Sequence, residues 1–396
     1  MPSLPAKGEL LTKKLSEIDA LVENGIKKGA FPGCQVFVAI EGKIIYNKSF
    51  GTKTYNNIDT VRNNDVYDIA SISKIVGSTA ALMHLQTEGK FSLDKKLGDY
   101  IPEVTQSTPY ADIKLRDMLA HQAGLVAWIP FYKKTLVDGK LNPEIYSTEK
   151  KAGFETLVAE NVWIKDSYVD TIYAQILNAK LGAKKYLYSD LGYYFVKKIV
   201  EKEGEKSFDQ YLYSSLYEPM GLRNIRFKPL NYFPYQRIVP TENDMVFRKQ
   251  IVQGFVHDPG AAMLGGVGGH AGVFANATDL GAMMQLFMNG GNYANHQYID
   301  AKVVQEYTKA QNPGNRRGAG FDRPTVGNGG PSSGLVSQKS FGHSGFTGTL
   351  AWADPVYKVN YVFLSNRVYP SAENWKIRDM NIRSEVQRII YEAIQK

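Results

Sequence analysis

One cysteine in 396 residues, Cys34, excludes an intramolecular disulfide. It falls in the apolar run Cys34-Gln35-Val36-Phe37-Val38-Ala39-Ile40 and reads as a core residue of a strand. No stretch is long and apolar enough to span a bilayer, and the opening MPSLPAKGELLTKK lacks the apolar centre of a secretory signal. Neither absence assigns a compartment. Of the six histidines, His257 and His270 lack HExxH or another metal spacing, so no metal site is expected, although either has the chemistry to line a cleft. Lys and Arg outnumber Asp and Glu by 47 to 39, for a net charge of +8, but they come as scattered pairs such as Lys133-Lys134 and Lys197-Lys198. Without an arginine stripe or a nucleic-acid motif, that excess is a solvated surface which suits anionic substrates, not nucleic acid. Internal repeats and disorder-type composition are missing too, and 43% hydrophobic content is enough for a large core in one unit or two intimately packed lobes.

What is present starts with periodicity. Leu11, Leu15, Ile18, Val22 and Ile26 mark an amphipathic opening helix, followed by two strand-like runs separated by Glu41-Gly42-Lys43. The other end mirrors it. Thr349 to Ala353 and Val359 to Ser365 form a hairpin about Asp354-Pro355, and Ile382, Val386, Ile389, Ile390 and Ala393 line a terminal helix. Both termini therefore feed one antiparallel sheet flanked by helices. The middle, from about Ser71 to about Gln250, has mostly helical patterns, including Leu115 to His121 and Tyr193 to Val200. The expected fold is α/β (α+β): a single unit over 1–396, with an α/β lobe from about 1–70 and 270–396 and a mostly helical lobe over about 71–269. A small-molecule cleft belongs between such lobes. The Gly- and Pro-rich stretch Gln311 to Lys339, with Arg316, Arg317 and Arg323, either borders that cleft or is a mobile surface connection.

Three motifs carry chemistry. In Ser71-Ile72-Ser73-Lys74 a serine and a lysine lie one helical turn apart, on a segment whose apolar residues recur at helical spacing up to Gly89, a C-cap glycine. Ser71 is then expected to open a buried helix, where free N–H groups stabilise developing negative charge. Alone, S-x-x-K also fits a serine N-cap with a solvated lysine. Tyr188-Ser189-Asp190 fits Y-x-N with Asp for Asn, and Phe341 to Gly348 (FGHSGFTG) fits the K-T-G strand motif with His343 for Lys. With these three in order, and with LRDMLAHQAGL (115–125), VHDPGAAMLGGVGGHAGVFAN (256–276) and the FTGT and SNRVYP segments, the chain resembles the serine β-lactamase and penicillin-binding protein superfamily, within it the class C β-lactamase-like group with its esterases and muropeptide amidases.

A poor nucleophile at its free pKa, Ser71 needs a base beside it. Lys74 is assigned as the activating partner and Tyr188 as the relay that protonates the leaving atom, sharing a proton with the lysine. The resemblance implies an oxyanion hole from the backbone N–H groups of Ser71 and Phe346, with Gly345 letting the strand approach closely and Asp190 and Ser344 on the substrate side. Asp190 favours the ammonium form of Lys74, so Tyr188 takes more of the base role unless Asp190 is protonated or neutralised by another cation. His343 stands where relatives bind a substrate carboxylate or tune the tyrosine, and a histidine there is expected to titrate near neutrality, weakening carboxylate recognition as pH rises.

Two decoys compete. The run Gly265 to His270 imitates a dinucleotide loop only loosely and reads as tight packing ahead of a helix. Gly330-Pro331-Ser332-Ser333-Gly334 matches G-x-S-x-G, but no apolar strand leads into Ser332 as a nucleophile elbow requires. His84 and His121 read as helix-surface or satisfied core residues. The expected activity is acyl-enzyme hydrolysis of amide or ester bonds, cell-wall peptide related, without metal or organic cofactor. A β-lactamase, a short-chain carboxylesterase and a penicillin- or peptide-binding module without turnover are the alternatives. By resemblance the expected partners are a small-molecule or peptide substrate and a muropeptide-degrading glycosidase domain or neighbour, in an extracytoplasmic (periplasmic or secreted) setting.

Overall fold

The computed structural model describes Leu11 and residues 13–325 and 330–395. Residues 1–10, read above for a leader, and 326–329 of the Gly- and Pro-rich stretch lie outside the described residues.

The two ends of the chain meet as their periodicity predicts. Strands β1 (Gly33–Ile40), β2 (Lys43–Gly51), β3 (Phe341–Gly345), β4 (Thr349–Asp354) and β5 (Val359–Ser365) form one antiparallel sheet in the order β3-β4-β5-β1-β2. The joint between the ends is β1 on β5, in register from Cys34 opposite Ser365 to Ile40 opposite Val359. Side chains alternate across the sheet. Val36 and Val38 face a layer made by α1 (Glu17–Lys27) and α5 (Ile382–Ile394), whereas Phe37 and Ala39 belong to the main core that holds α4 (Ala277–Met288). Burial on both faces explains why β1 reads as a continuous apolar run, with Cys34 fully buried in it.

Between the sheet's halves the chain is helical, with α2 (Ala80–Thr87) and α3 (Leu191–Glu203) packed together at the centre. Helical periodicity does not show the short antiparallel pairs set among these helices, among them Tyr146–Ser147, Thr156–Ala159 and Val162–Ile164 in one three-stranded sheet. Three elements differ from expectation. The helix expected over 115–121 is Leu115–Leu119 and ends in His121 at φ 56°, while the helix beginning near Tyr193 starts earlier, at Leu191. Ser71 does not open a regular α-helix either. It sits in a 3₁₀ turn, Ala70–Ile72, that runs through a wide π-type turn, Lys74–Thr79, into α2. Ser78 Oγ donates to Gly269 O at 2.6 Å and so ties the wide turn to the neighbouring loop. Gly89, at φ 73°, closes the segment as expected.

Candidate active site

The nucleophile turn is braced from three directions by one buried carboxylate. Asp68 accepts the Ala70 N–H at 2.8 Å and the His257 N–H at 2.7 Å, while its carbonyl accepts Thr347 Oγ1 at 2.8 Å. Ala70 is held at φ 47°, a conformation an alanine adopts only when its surroundings enforce it. Gly345 is pressed against this turn. A Cβ there would lie 2.1 Å from Thr349 Oγ1 and 2.5 Å from Ile69 O, so only glycine permits the approach. Among the described residues, neither the Ser71 nor the Phe346 backbone N–H donates to another protein group, which leaves both available to an oxyanion.

Lys74 is fully buried: Nζ donates to Ser71 Oγ at 2.9 Å and to His270 O at 3.0 Å, and it forms an ion pair with Asp190 Oδ1 at 2.7 Å. Burial pushes its pKa down, but the Asp190 and Tyr188 oxygens outweigh it and the net shift is upward. The resting lysine is therefore an ammonium, as an Asp in place of Asn implies. Asp190 is set by the start of α3, where Ser189 Oγ accepts the Leu191 N–H at 3.2 Å and donates to Val126 O at 2.7 Å. The Tyr188 hydroxyl is buried without an aligned hydrogen-bond partner, and Ser71 and Lys74 both lie close enough to lower its pKa. Burial dominates, so the net shift is upward and the resting group is a neutral phenol.

Ser71, Lys74, Tyr188, Asp190, His343, Ser344, Gly345 and Phe346 all line one cleft of about 820 Å³. Spacing alone left His343 exposed to titration; the structure overturns this. It is buried beside Arg317, with Nε2 3.4 Å from the guanidinium and Nδ1 2.7 Å from Ser344 O. Burial first, then Arg317 and Lys74, push its pKa down to about 3, so it is neutral across the physiological range. The cation on this side of the cleft is Arg317 itself. Its guanidinium lies 5.3 Å from the Tyr188 ring centre and donates to Tyr186 Oη at 3.2 Å. The arginine segment thus borders the cleft at Arg317, which pairs at 3.3 Å with Asp322, the carboxylate it shares with Arg316, whereas Arg323 caps backbone carbonyls.

His257 and His270 also line the cleft. His270 Nε2 bonds Asp258 Oδ1 at 2.7 Å while its carbonyl holds Lys74, so the glycine-rich run is packing that positions the lysine. His121 is buried with its ring centre 4.4 Å from that of Tyr188, fixed by the Ser189 N–H to its Nδ1 at 3.1 Å. It backs the tyrosine, a role its sequence position does not signal. Asp68 and Glu242 escaped notice for the same reason: each meets the site's residues from a separate segment. His84 is half-buried and bonds Tyr211 Oη at 2.8 Å. Ser332 lies in a bend, no helix follows it, and it is not among the cleft residues.

A two-sided antiparallel sheet with a serine, an ammonium and a phenol meeting at its edge defines a class of serine hydrolase. A family model described as Beta-lactamase matches residues 18–383, and the chain belongs to that family; it is a serine hydrolase of this type. An Escherichia coli (strain K12) protein provisionally named a D-alanyl-D-alanine carboxypeptidase is 30% identical, over 96% of this chain and 88% of its own. The N-acetylmuramyl-L-alanine amidase of Bacillus subtilis (strain 168) is 29% identical over 90% of this chain and 81% of its own. Among solved structures, EstCE1, a hydrolase with promiscuous acyltransferase activity, superimposes with a TM-score of 0.69 at 16% identity, covering 97% of this chain and 99% of that one. A class C β-lactamase gives 0.63 at 16% identity, covering 96% and 98%. At such identities these two structures speak for the fold alone.

Proposed function

We propose that this protein hydrolyses an amide bond of a cell-wall peptide or muropeptide through an acyl-enzyme on Ser71. The reading is carried by one observation: Lys74 Nζ lies 2.9 Å from Ser71 Oγ in the cleft that also holds Tyr188. Ser71 attacks the carbonyl carbon, the two free N–H groups receive the oxyanion, and the Tyr188 hydroxyl protonates the leaving nitrogen. Because the resting lysine is charged, it must first pass a proton to Asp190, its closest acceptor, before taking the one from Ser71. Water then resolves the ester. The chemistry takes place where the α/β lobe, about 1–70 and 270–396, meets the lobe of about 71–269.

The amide preference is supported by the names of the relatives, a carboxypeptidase and a muramyl amidase. It fits an extracytoplasmic setting and a muropeptide-degrading glycosidase as neighbour. Among the described residues no helix is long and apolar enough to cross a membrane. Intact mass spectrometry after adding a β-lactam, a chromogenic ester and a muramyl-peptide tests the reading. Amide product with a transient adduct on Ser71, abolished in Ser71→Ala and kept in Ser332→Ala, is expected. A persistent β-lactam adduct without product from any of the three makes the protein a binder, and loss of hydrolysis only in Ser332→Ala moves the nucleophile.

A further inference from the structure

A second proton-handling pair, which the acylation step does not use, reaches the cleft through His257. His257 Nε2 lies 2.7 Å from Glu242 Oε2. Burial alone raises the Glu242 pKa, but the contact with His257 outweighs it and the net shift is downward, so at neutral pH this is a carboxylate, which only accepts. In the neutral imidazole the proton therefore sits on Nε2 and Nδ1 carries the lone pair; among the described residues Nδ1 makes no hydrogen bond, and it is not sealed from solvent. Its ring stacks on Phe346 with centres 5.6 Å apart and planes at 24°, and its backbone N–H is pinned by Asp68, the residue that also braces the nucleophile turn. An imidazole with one nitrogen held by a carboxylate and the other free beside an oxyanion donor is equipped to take a proton from water.

We infer that His257, oriented by Glu242, is the general base that hydrolyses the acyl-enzyme. This rests on the acyl-enzyme reading above and adds the group that ends the cycle. Water gives one proton to His257 Nδ1 as its oxygen bonds to the acyl carbon, and the carbonyl electrons move onto the oxygen held by the Ser71 and Phe346 N–H groups. The tetrahedral adduct collapses with cleavage of the bond to Ser71 Oγ, which takes a proton from the Tyr188 and Lys74 side. The acid leaves as a carboxylate and its proton restores the Tyr188 and Lys74 side, while the proton on His257 passes to solvent. Tyr188 and Lys74 serve bond exchange at the serine; His257 serves the water. The two sets have separate partners: Tyr188 packs on His121 and Arg317, His257 on Phe346 and Glu242.

The test uses the whole chain, 4-nitrophenyl acetate and the variants His257→Gln and Glu242→Gln. Decay of the acetyl adduct is followed by intact mass after removal of excess ester, beside the burst of nitrophenol. Removing a general base should lengthen the adduct's lifetime about 100-fold or more in His257→Gln, with the burst retained. Glu242→Gln, which keeps a hydrogen-bonding partner, should lengthen it less. The charged groups facing this imidazole are Glu242, Asp68 and Asp258, with Arg367 over the Phe346 ring. A lifetime in both variants within about twofold of wild type overturns the inference, as does a burst that falls in step with turnover and leaves no adduct. If His257→Gln does not fold, judged by circular dichroism, Glu242→Gln decides alone. Should the wild type itself show neither adduct nor product, it is the acyl-enzyme reading that has failed.

Discussion

Replacing Asp190 with Asn restores the residue that the Y-x-N pattern ordinarily carries and asks what the carboxylate does to Lys74. At 2.7 Å from the ammonium and an effective dielectric near 20, the charge pair is worth about 6 kcal/mol of attraction. Burial of the lysine opposes this, and an adjacent opposite charge typically moves a pKa by about 1–3 units, or roughly 1.4–4 kcal/mol. Asp190→Asn should therefore lower the lysine's pKa by about 1–3 units and raise the free-amine fraction at neutral pH by about 10- to 1000-fold. Any gain in acylation rate will be smaller, because a weaker base takes the serine proton less readily and the variant lacks the carboxylate that accepts the lysine's proton. Burst kinetics with 4-nitrophenyl acetate over a broad pH range measure the effect: the acidic limb of the acylation profile should move to lower pH by that same interval. Stability responds in parallel. A lysine whose folded pKa exceeds its unfolded value stabilises the fold below the unfolded pKa, and this contribution fades as pH rises through the folded one. The wild type should thus lose stability in alkali above about pH 10.4 by a route that Asp190→Asn lacks. A limb that stays in place, or moves upward, would refute the claim that Asp190 holds the lysine charged.

Four further outcomes follow from the same geometry. Substrate affinity should be flat between about pH 5 and 8 as far as His343 is concerned, since its pKa near 3 keeps it neutral there; Arg317→Ala should raise KM for carboxylate-bearing peptides more than it lowers kcat for a neutral ester, and equal effects on both would count against it. Gly345→Ala forces a methyl group to 2.1 Å from Thr349 Oγ1 and 2.5 Å from Ile69 O, so it should cost about 1–3 kcal/mol in denaturant melts and remove most of the burst; a variant with both intact would show that the strand need not approach the serine turn. Asp258 is held well below the usual carboxylate range because His270 and the Ala261 N–H outweigh its burial. Its stabilisation is present above about pH 4 and disappears as pH falls below that, so Asp258→Asn should weaken the protein at neutrality yet flatten its acid-unfolding curve, and an unchanged curve would remove the pair from the stability account.

The sheet and its flanking helices were legible because burial imprints a period on the chain. A helix with Ile18 and Val22 inward and a strand run from Cys34 to Ile40 need no partner to be recognised. The terminal helix with Val386 and Ile390, and the hairpin through Asp354, were readable on the same grounds. The short pairs such as Tyr146–Ser147 with Val162–Ile164 were not, since two or three residues are too few to display alternation. The wide turn at Lys74–Thr79 was also hidden: its apolar residues keep helical spacing while the backbone loosens around a buried lysine.

For the site, the sequence by itself determined which groups are available: a hydroxyl and an amine three positions apart, a phenol before a helix, and a glycine-flanked strand, because these spacings are local and covalent. Their electrostatic state was decided only in three dimensions. His343 lost its titration near neutrality because Arg317, 26 positions earlier in the chain, is packed against its buried ring. His257 gained a defined tautomer because a strand fold places Glu242 on its Nε2, and the nucleophile turn took its shape because Asp68 reaches Ala70, His257 and Thr347 at once. Charge and proton position depend on distance and dielectric through space, and neither quantity is written along the chain.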